Sequence, residues 1–330
     1  MIRVAVTEVE YKKARMVFDS AEDMACIPVL PNEDDLCASI RKLQARHAIV
    51  GAVRYEDLLY RTLPRGGVLA RFGVGHDGID KAKATASGIL CVNTPGVLDE
   101  SVAEYVMALL LEAARHLVRH AETCQRGSWE VHIGRELSGK RLAVIGCGPI
   151  GRLVGRAAAQ GFRMEVIGCE VAPVDTVELA SLGFSRITTD FADAVAGADF
   201  VSLHIPGSPP NRHFLSRERL AMIPSRATLI NTARGSVVDE IALFDALASG
   251  SLAGAALDVF EEEPYRPQDP AKDLRTLPKV IQTPHVASST REACDRVAKR
   301  ALHNIALAER GELGSMDLLN PEVLTEREGA

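Results

Sequence analysis

Three polar residues in the last third of the chain have the types to do chemistry together. They are Arg234 in Asn231-Thr-Ala-Arg-Gly, Glu263 at the end of Asp258-Val-Phe-Glu-Glu-Glu, and His285 in Thr-Pro-His-Val-Ala. Each follows a short apolar run that reads as a strand: Thr228–Thr232, Gly254–Phe260 and Val280–Thr283. In an open parallel sheet, the carboxyl ends of strands face the ligand crevice. An Arg fork grips a carboxylate with two parallel hydrogen bonds. A His exchanges protons near neutral pH, and a neighbouring carboxylate favours its charged form. Together these are the parts needed to reduce a 2-oxo acid: Arg holds the carboxylate and polarises the ketone, and His protonates the new alkoxide, steadied by Glu. Each also has a structural reading. Arg234 can open a helix, Glu263 is one of three adjacent glutamates that water could solvate, and a His after Thr-Pro can be purely structural.

The stretch around which the rest of the chain is arranged is Arg141–Gly155, RLAVIGCGPIGRLVG. Leu142–Ile145 reads as a buried strand, Gly146-x-Gly148-x-x-Gly151 as a turn, and Leu153, Val154, Ala157 and Ala158 as one helical face. A strand turning into a helix aims backbone N–H groups and the helix dipole at one point, which suits a pyrophosphate. Gly146 permits the tight turn, Gly148 the approach of the diphosphate, and Gly151 close helix packing. A second apolar run, Met164–Cys169, ends in Glu170, 19 residues after Gly151. There an acid accepts hydrogen bonds from a ribose diol. A carboxylate repels a 2′-phosphate, and Val171, Ala172 and Pro173 bring no Arg to receive one. The expected cofactor is therefore NAD rather than NADP.

At 330 residues the chain has room for two domains. Its 47% hydrophobic and 25% charged content describe an ordinary soluble protein. A net charge of −6 without long runs of one sign argues against a nucleic-acid surface. No apolar stretch is long enough to span a bilayer. The strand-like Ile2–Val6 leaves no room for a signal peptide. Seven scattered cysteines without a CxxC pair fit reduced thiols and a cytoplasmic location, not a metal site.

The first hundred residues alternate strand patterns (Ile2–Val6, Cys26–Leu30, Ala48–Val53, Val68–Phe72, Leu90–Val92) with helical ones, which implies a parallel sheet covered by helices. A long helix, roughly Glu100–His120, is apolar on almost every face and is expected to be buried. Ser288-Ser289-Thr290 offers an N-cap for a helix to about Glu309, whose positions 293, 297, 301 and 305 make a core-facing stripe.

Taken together, Arg71–Asp80, Asn93–Glu104, Trp129–Gly151, Asn231–Asp239, Ala256–Pro264 and Thr283–Thr290 resemble the D-isomer-specific 2-hydroxyacid dehydrogenases over nearly the whole chain. The resemblance implies two doubly wound parallel-sheet α/β domains. A Rossmann NAD-binding domain (98–287) would be inserted into a flavodoxin-like substrate domain (1–97 and 288–330), with a hinged cleft between them. It implies Arg234 as the substrate-anchoring arginine, His285 as acid/base, and Glu263, the glutamate directly before the proline, as its partner. It places Pro149 and Ile150 at the diphosphate, Glu170 at the ribose, and His204 and Pro206 on the adenosine side. Thr232 and Asp258 fall near the nicotinamide, and the Val74–Gly75 backbone at the substrate carboxylate. A homodimer through the nucleotide domain and the 101–120 helix is implied as well.

Departures from the family pattern are Pro149 for a usual Arg, Glu170 for Asp, His76 after Gly75, and Gly207-Ser208 for Leu-Thr. The last is expected to loosen the adenosine pocket. Arg54 and Arg71 match arginines that 3-phosphoglycerate dehydrogenases use on the phosphate, so a second anionic group on the substrate is one expectation. The Glu130–Gly134 stretch lacks the basic residues that accompany it in some of those enzymes. Ending at Ala330, the chain leaves no room for their serine-sensing modules. Glyoxylate, hydroxypyruvate and other short 2-oxo acids remain open. Formate dehydrogenases carry Gln where Glu263 stands. Corepressors of the C-terminal-binding-protein type share the triad and act as NAD(H)-sensing modules, but carry longer tails.

Overall fold

The computed structural model describes residues 1–325. The chain forms two compact units: Met1–Leu98 with Ser289–Ala330, and Asp99–Ser288.

In the first unit, β1 (Ile2–Thr7), β2 (Met24–Val29), β3 (His47–Val50), β4 (Val68–Arg71) and β5 (Leu90–Val92) form a parallel sheet in the order β2-β1-β3-β4-β5. That is the flavodoxin-like order. Ala5, Ala48, Val50, Leu69 and Cys91 have no exposed surface and pack under helix Glu33–Leu43. Residues 289–325 complete this unit. Thr290 caps helix Arg291–Arg310, its Oγ1 accepting from the Ala293 N–H at 3.1 Å, and the stripe Ala293, Val297, Ala301, Ile305 is buried. Beyond it, Leu318 bridges Val92 antiparallel. The buried Asn320 side chain accepts from the Cys91 N–H and donates to the Ile89 carbonyl and Thr85 hydroxyl, each at 2.9 Å. A buried amide with donors and acceptor all used is a specific staple.

The second unit holds seven parallel strands: β6 (Arg141–Ile145), β7 (Glu165–Cys169), β8 (Phe184–Thr188), β9 (Phe200–Leu203), β10 (Thr228–Asn231), β11 (Gly254–Leu257) and β12 (Val280–Gln282). Their order, β12-β11-β10-β9-β6-β7-β8, is the doubly wound Rossmann arrangement with one added strand. The central strands are short runs, buried throughout but for Arg141 at the start of β6, as sheets covered on both faces require.

The long helix departs from expectation. It ends at Arg115; His116 takes a left-handed φ of 57°, and a second helix runs Leu117–Gln125. The Glu112 side chain accepts the Val118 N–H at 3.0 Å and so caps the second helix across the break. Asp99–Arg115 is buried as expected through Val102, Val106, Leu109 and Leu110, but no residue of Leu117–Gln125 is.

Candidate active site

The glycine turn stands where β6 meets helix Pro149–Arg156. Gly146 has φ 95°, and a Cβ there would lie 2.6 Å from the His204 carbonyl oxygen. A Cβ on Gly151 would lie 2.1 Å from the Gly146 oxygen, so the helix can sit this close only on glycine. Nothing stands within 4 Å of where a Gly148 side chain would be. Pro149 occupies the first helical turn, where its missing N–H costs nothing. Ile150 beside it is half-buried.

Glu170, one residue past β7, leans back over this turn. Its Oε2 accepts the Cys147 N–H and its Oε1 the Ala172 N–H, both at 2.9 Å. Arg152, which the motif analysis left aside, donates from Nε to the Cys147 carbonyl at 2.9 Å and pairs with Glu178 at 2.7 Å. A cation on this loop therefore comes from the helix, not from position 149.

His204 follows β9. Its N–H donates to the Ile145 carbonyl at 2.7 Å and its Nε2 bonds Ser202 Oγ at 2.9 Å. Burial lowers its pKa to about 4, so the ring is neutral. Pro206 follows in the same loop, and its carbonyl accepts from Asn211 at 2.9 Å.

At the end of β10, Asn231 organises the Arg234 loop. Its Oδ1 accepts from the Ala233 N–H at 3.0 Å, and its Nδ2 donates to the Arg234 carbonyl at 2.9 Å. Thr232 Oγ1 is buried and has no hydrogen-bond partner among the described residues. Arg234 is extended, and one guanidinium nitrogen donates to the Ala233 carbonyl at 2.6 Å. Gly235 next to it touches the Phe260–Glu261 peptide, since a Cβ would fall 1.8 Å from the Phe260 carbonyl carbon. Only glycine lets the Arg234 loop pass beneath the turn that carries the glutamates.

The three adjacent glutamates have three different partners. Glu261 is almost buried and pairs with Arg212 at 3.0 Å and His213 at 2.9 Å. Glu262 is exposed beside Arg266. Glu263 alone meets His285, with Oε2 at 2.7 Å from Nδ1, while its Oε1 accepts the Phe260 N–H at 3.0 Å. Burial works to raise the Glu263 pKa, but the His285 hydrogen bond and charge, the Phe260 N–H and Arg234 together hold it below the ordinary carboxyl range. An ionised carboxylate only accepts. The proton on Nδ1 is therefore the donor, and Nε2 is the ring atom left to exchange a proton with a ligand.

His285 itself sits at φ 54°, a conformation rare without glycine. Asp258 pins it there. The Asp258 carbonyl accepts the His285 N–H at 2.9 Å, and its carboxylate accepts from Thr283 Oγ1 at 2.6 Å, Val286 N–H at 2.9 Å and Ala287 N–H at 2.8 Å. Asp258 has no exposed surface, and its carboxylate is spent on the His285 loop.

The sequence also missed Glu240, buried below the glutamate turn. Its Oε1 accepts the Glu261 N–H at 2.7 Å, and its Oε2 has no partner among the described residues. Burial first of all, then the charges of Glu261 and Glu263, push this carboxyl up to about 7, against the Glu261 N–H and His213.

The substrate-side candidates lie in the first unit. Arg71 ends β4 and donates to the Phe72 carbonyl. The Val74 carbonyl accepts from Asn93 Nδ2 at 2.7 Å, and Gly75 follows on the same loop. Arg54 is exposed on the loop after β3.

A cofactor fits the second unit. The glycine turn leaves space above Gly148, a carboxylate stands beside it, and the Thr232 hydroxyl waits at a strand end. Comparison with known proteins agrees. Residues 107–287 match the family profile described as D-isomer specific 2-hydroxyacid dehydrogenase, NAD binding domain. The chain belongs to the D-isomer-specific 2-hydroxyacid dehydrogenase family. It is similar to a glyoxylate reductase of Korarchaeum cryptofilum (37% identical over 275 residues, 82% of this chain and 80% of that one). It is also similar to a D-3-phosphoglycerate dehydrogenase of Methanocaldococcus jannaschii (35% identical, 100% of this chain but 62% of that one). Among solved structures, an NADPH-dependent glyoxylate/hydroxypyruvate reductase of Sinorhizobium meliloti in complex with NADP and malonate matches with a TM-score of 0.78 and 27% identity, covering 93% of each chain. As a member of this dehydrogenase family, the protein is an oxidoreductase with NAD as its cofactor. No helix of the described residues is long and apolar enough to cross a membrane, and no cluster of His, Cys, Asp or Glu among them could hold a metal.

Proposed function

We propose that the protein interconverts a short D-2-hydroxy acid and its 2-oxo acid, of the glyoxylate or hydroxypyruvate class. The observation that carries this reading is the Glu263–His285 hydrogen bond at the ends of β11 and β12, in the unit that holds the glycine turn. Arg234 presents its guanidinium fork to the substrate carboxylate and polarises the neighbouring carbonyl. His285 delivers the Nε2 proton to the C2 oxygen in reduction and takes it back in oxidation, while Glu263 fixes the ring through Nδ1. NAD, when bound, supplies or receives the hydride. Gly146, Gly148, Pro149, Ile150 and Gly151 would hold its diphosphate, Glu170 its ribose, His204 and Pro206 its adenosine side, and Thr232 its carboxamide.

A second reading is a phosphorylated substrate of the 3-phosphoglycerate type. It is favoured by Arg54 and Arg71 and by a relative of that name that aligns along the whole chain. We assign Val74, Gly75 and Arg71 to the substrate side in either case. The protein is proposed to act in the cytoplasm as a homodimer. Leu117, Val118, Trp129, Val131 and Ile133, which are 70, 51, 89, 78 and 93% exposed, form too apolar a segment for open solvent and suit a second copy. Sedimentation of the purified protein would read that.

The deciding experiment is NADH oxidation with glyoxylate, hydroxypyruvate, phosphohydroxypyruvate and pyruvate, with His285→Ala as control. We expect turnover of the short acids and a loss of about 10²- to 10⁴-fold in the variant. A preference for phosphohydroxypyruvate that disappears in Arg54→Ala would select the second reading. Tight NADH binding with no turnover of any 2-oxo acid would point instead to a sensing module.

A further inference from the structure

We propose that Gly207 is a positioning residue for Arg234, present because any side chain there would displace the arginine stem from the conformation it takes in this chain. The proposal rests on Arg234 as the carboxylate anchor. A Cβ at position 207 would lie 2.7 Å from Arg234 Cγ, 3.0 Å from Arg234 Cβ and 3.1 Å from Ser236 Oγ. Gly207 is not among the residues with positive φ, so the requirement is for space and not for backbone freedom.

The atoms in the way are the root of the arginine side chain, not its mobile end. Cγ can move away only by a rotation about χ1 that carries the guanidinium with it, and Cβ only if the Arg234 backbone moves; that backbone is fixed on three sides. Asn231 holds the Ala233 N–H and the Arg234 carbonyl, and Gly235 is in contact with the Phe260–Glu261 peptide. The Arg234 stem is thus held between two glycines, with its guanidinium turned onto the Ala233 carbonyl. In the family pattern a Leu stands at position 207. Here its room belongs to Arg234, so the Gly207-Ser208 departure bears on the substrate anchor.

Two measurements test this. The first is a thermal-stability cycle of wild type, Gly207→Ala, Arg234→Ala and the double variant, which needs no substrate. If the clash is with the arginine stem, Arg234→Ala restores more than half of the Tm that Gly207→Ala loses. The same holds if Gly207→Ala alone does not fold and the double variant does. Additive losses, no loss at all, or a double variant that also fails to fold, would overturn the proposal. The second is kinetic. Gly207→Ala is expected to raise KM for the 2-oxo acid about tenfold, with the NADH Kd and the pH profile of kcat unchanged. A weaker NADH Kd with an unchanged KM would assign the position to the nucleotide instead and overturn the proposal. If wild type turns over no 2-oxo acid, the functional reading fails while the stability cycle still decides the packing.

Discussion

Glu263 and His285 are joined by a 2.7 Å hydrogen bond, and the carboxylate that makes it is itself tethered to the turn by the Phe260 N–H at 3.0 Å. The ring is therefore aimed by a group that cannot rotate freely. Glu263→Gln keeps the shape but loses the carboxylate that holds the Nδ1 proton of the ring. We expect kcat to fall by about 10- to 100-fold with little change in NADH affinity, measured by steady-state kinetics and NADH titration. Because Glu263 is held below its ordinary range, its contribution to stability is present above the unfolded carboxyl value and is lost only as acid takes the pH down through the depressed one.

Asp258 spends its carboxylate on the loop that holds His285 in a left-handed conformation. Asp258→Asn puts an N–H₂ where N–H and O–H donors already point. We expect a cost of about 2–3 kcal/mol in urea denaturation and a large fall in kcat. A variant with wild-type turnover would show that the loop keeps its shape without the carboxylate.

Glu240 gives stability a pH dependence of its own. Its carboxyl is raised from an ordinary 4.5 to about 7, so the native state binds more protons than the unfolded state between those values. Stability contributed by Glu240 is full below the unfolded value and declines as pH rises through about 7. Glu240→Gln should remove that decline and stabilise the protein at pH 8 by on the order of 1–2 kcal/mol after solvent screening. Tm against pH for both proteins reads the effect, and parallel curves would mean that Glu240 does not titrate in this range.

Glu170 is a carboxylate where a 2′-phosphate would come, and it is fixed by two backbone N–H groups. Glu170→Gln should shift the ratio of kcat/KM for NADPH over NADH toward NADPH by about tenfold, because a repulsion of one unit charge near the surface is worth about that much. An unchanged ratio would place cofactor choice elsewhere.

Much of the architecture was readable because it rests on local rules. The glycine spacing with an apolar run before it marked the β6 turn, and the 293, 297, 301, 305 stripe marked the last long helix. β8 escaped because it is a sheet edge: Ser185 and Arg186 are exposed, so no apolar run announces it. The break at His116 escaped because neither Gly nor Pro signals it. Around the candidate site, residue types were legible but partners were not. The sequence could not divide three adjacent glutamates among His285, Arg266 and the Arg212–His213 pair, since Arg212 and His213 lie on a distant loop. Nor could it show why Gly207 and Gly235 are glycine, because the atoms that crowd them come from other segments.

The Asn320 staple has a consequence for how the protein is made. β1 to β5 leave the ribosome before residues 99–288, yet helix Arg291–Arg310 and the side chain that satisfies Cys91, Ile89 and Thr85 follow after them. Residues 99–288 can close their own core in the interval. The nascent N-terminal sheet must wait, with part of its surface uncovered, until residues 289–325 have emerged. Its vulnerable period is set by elongation rate and not by its own folding speed.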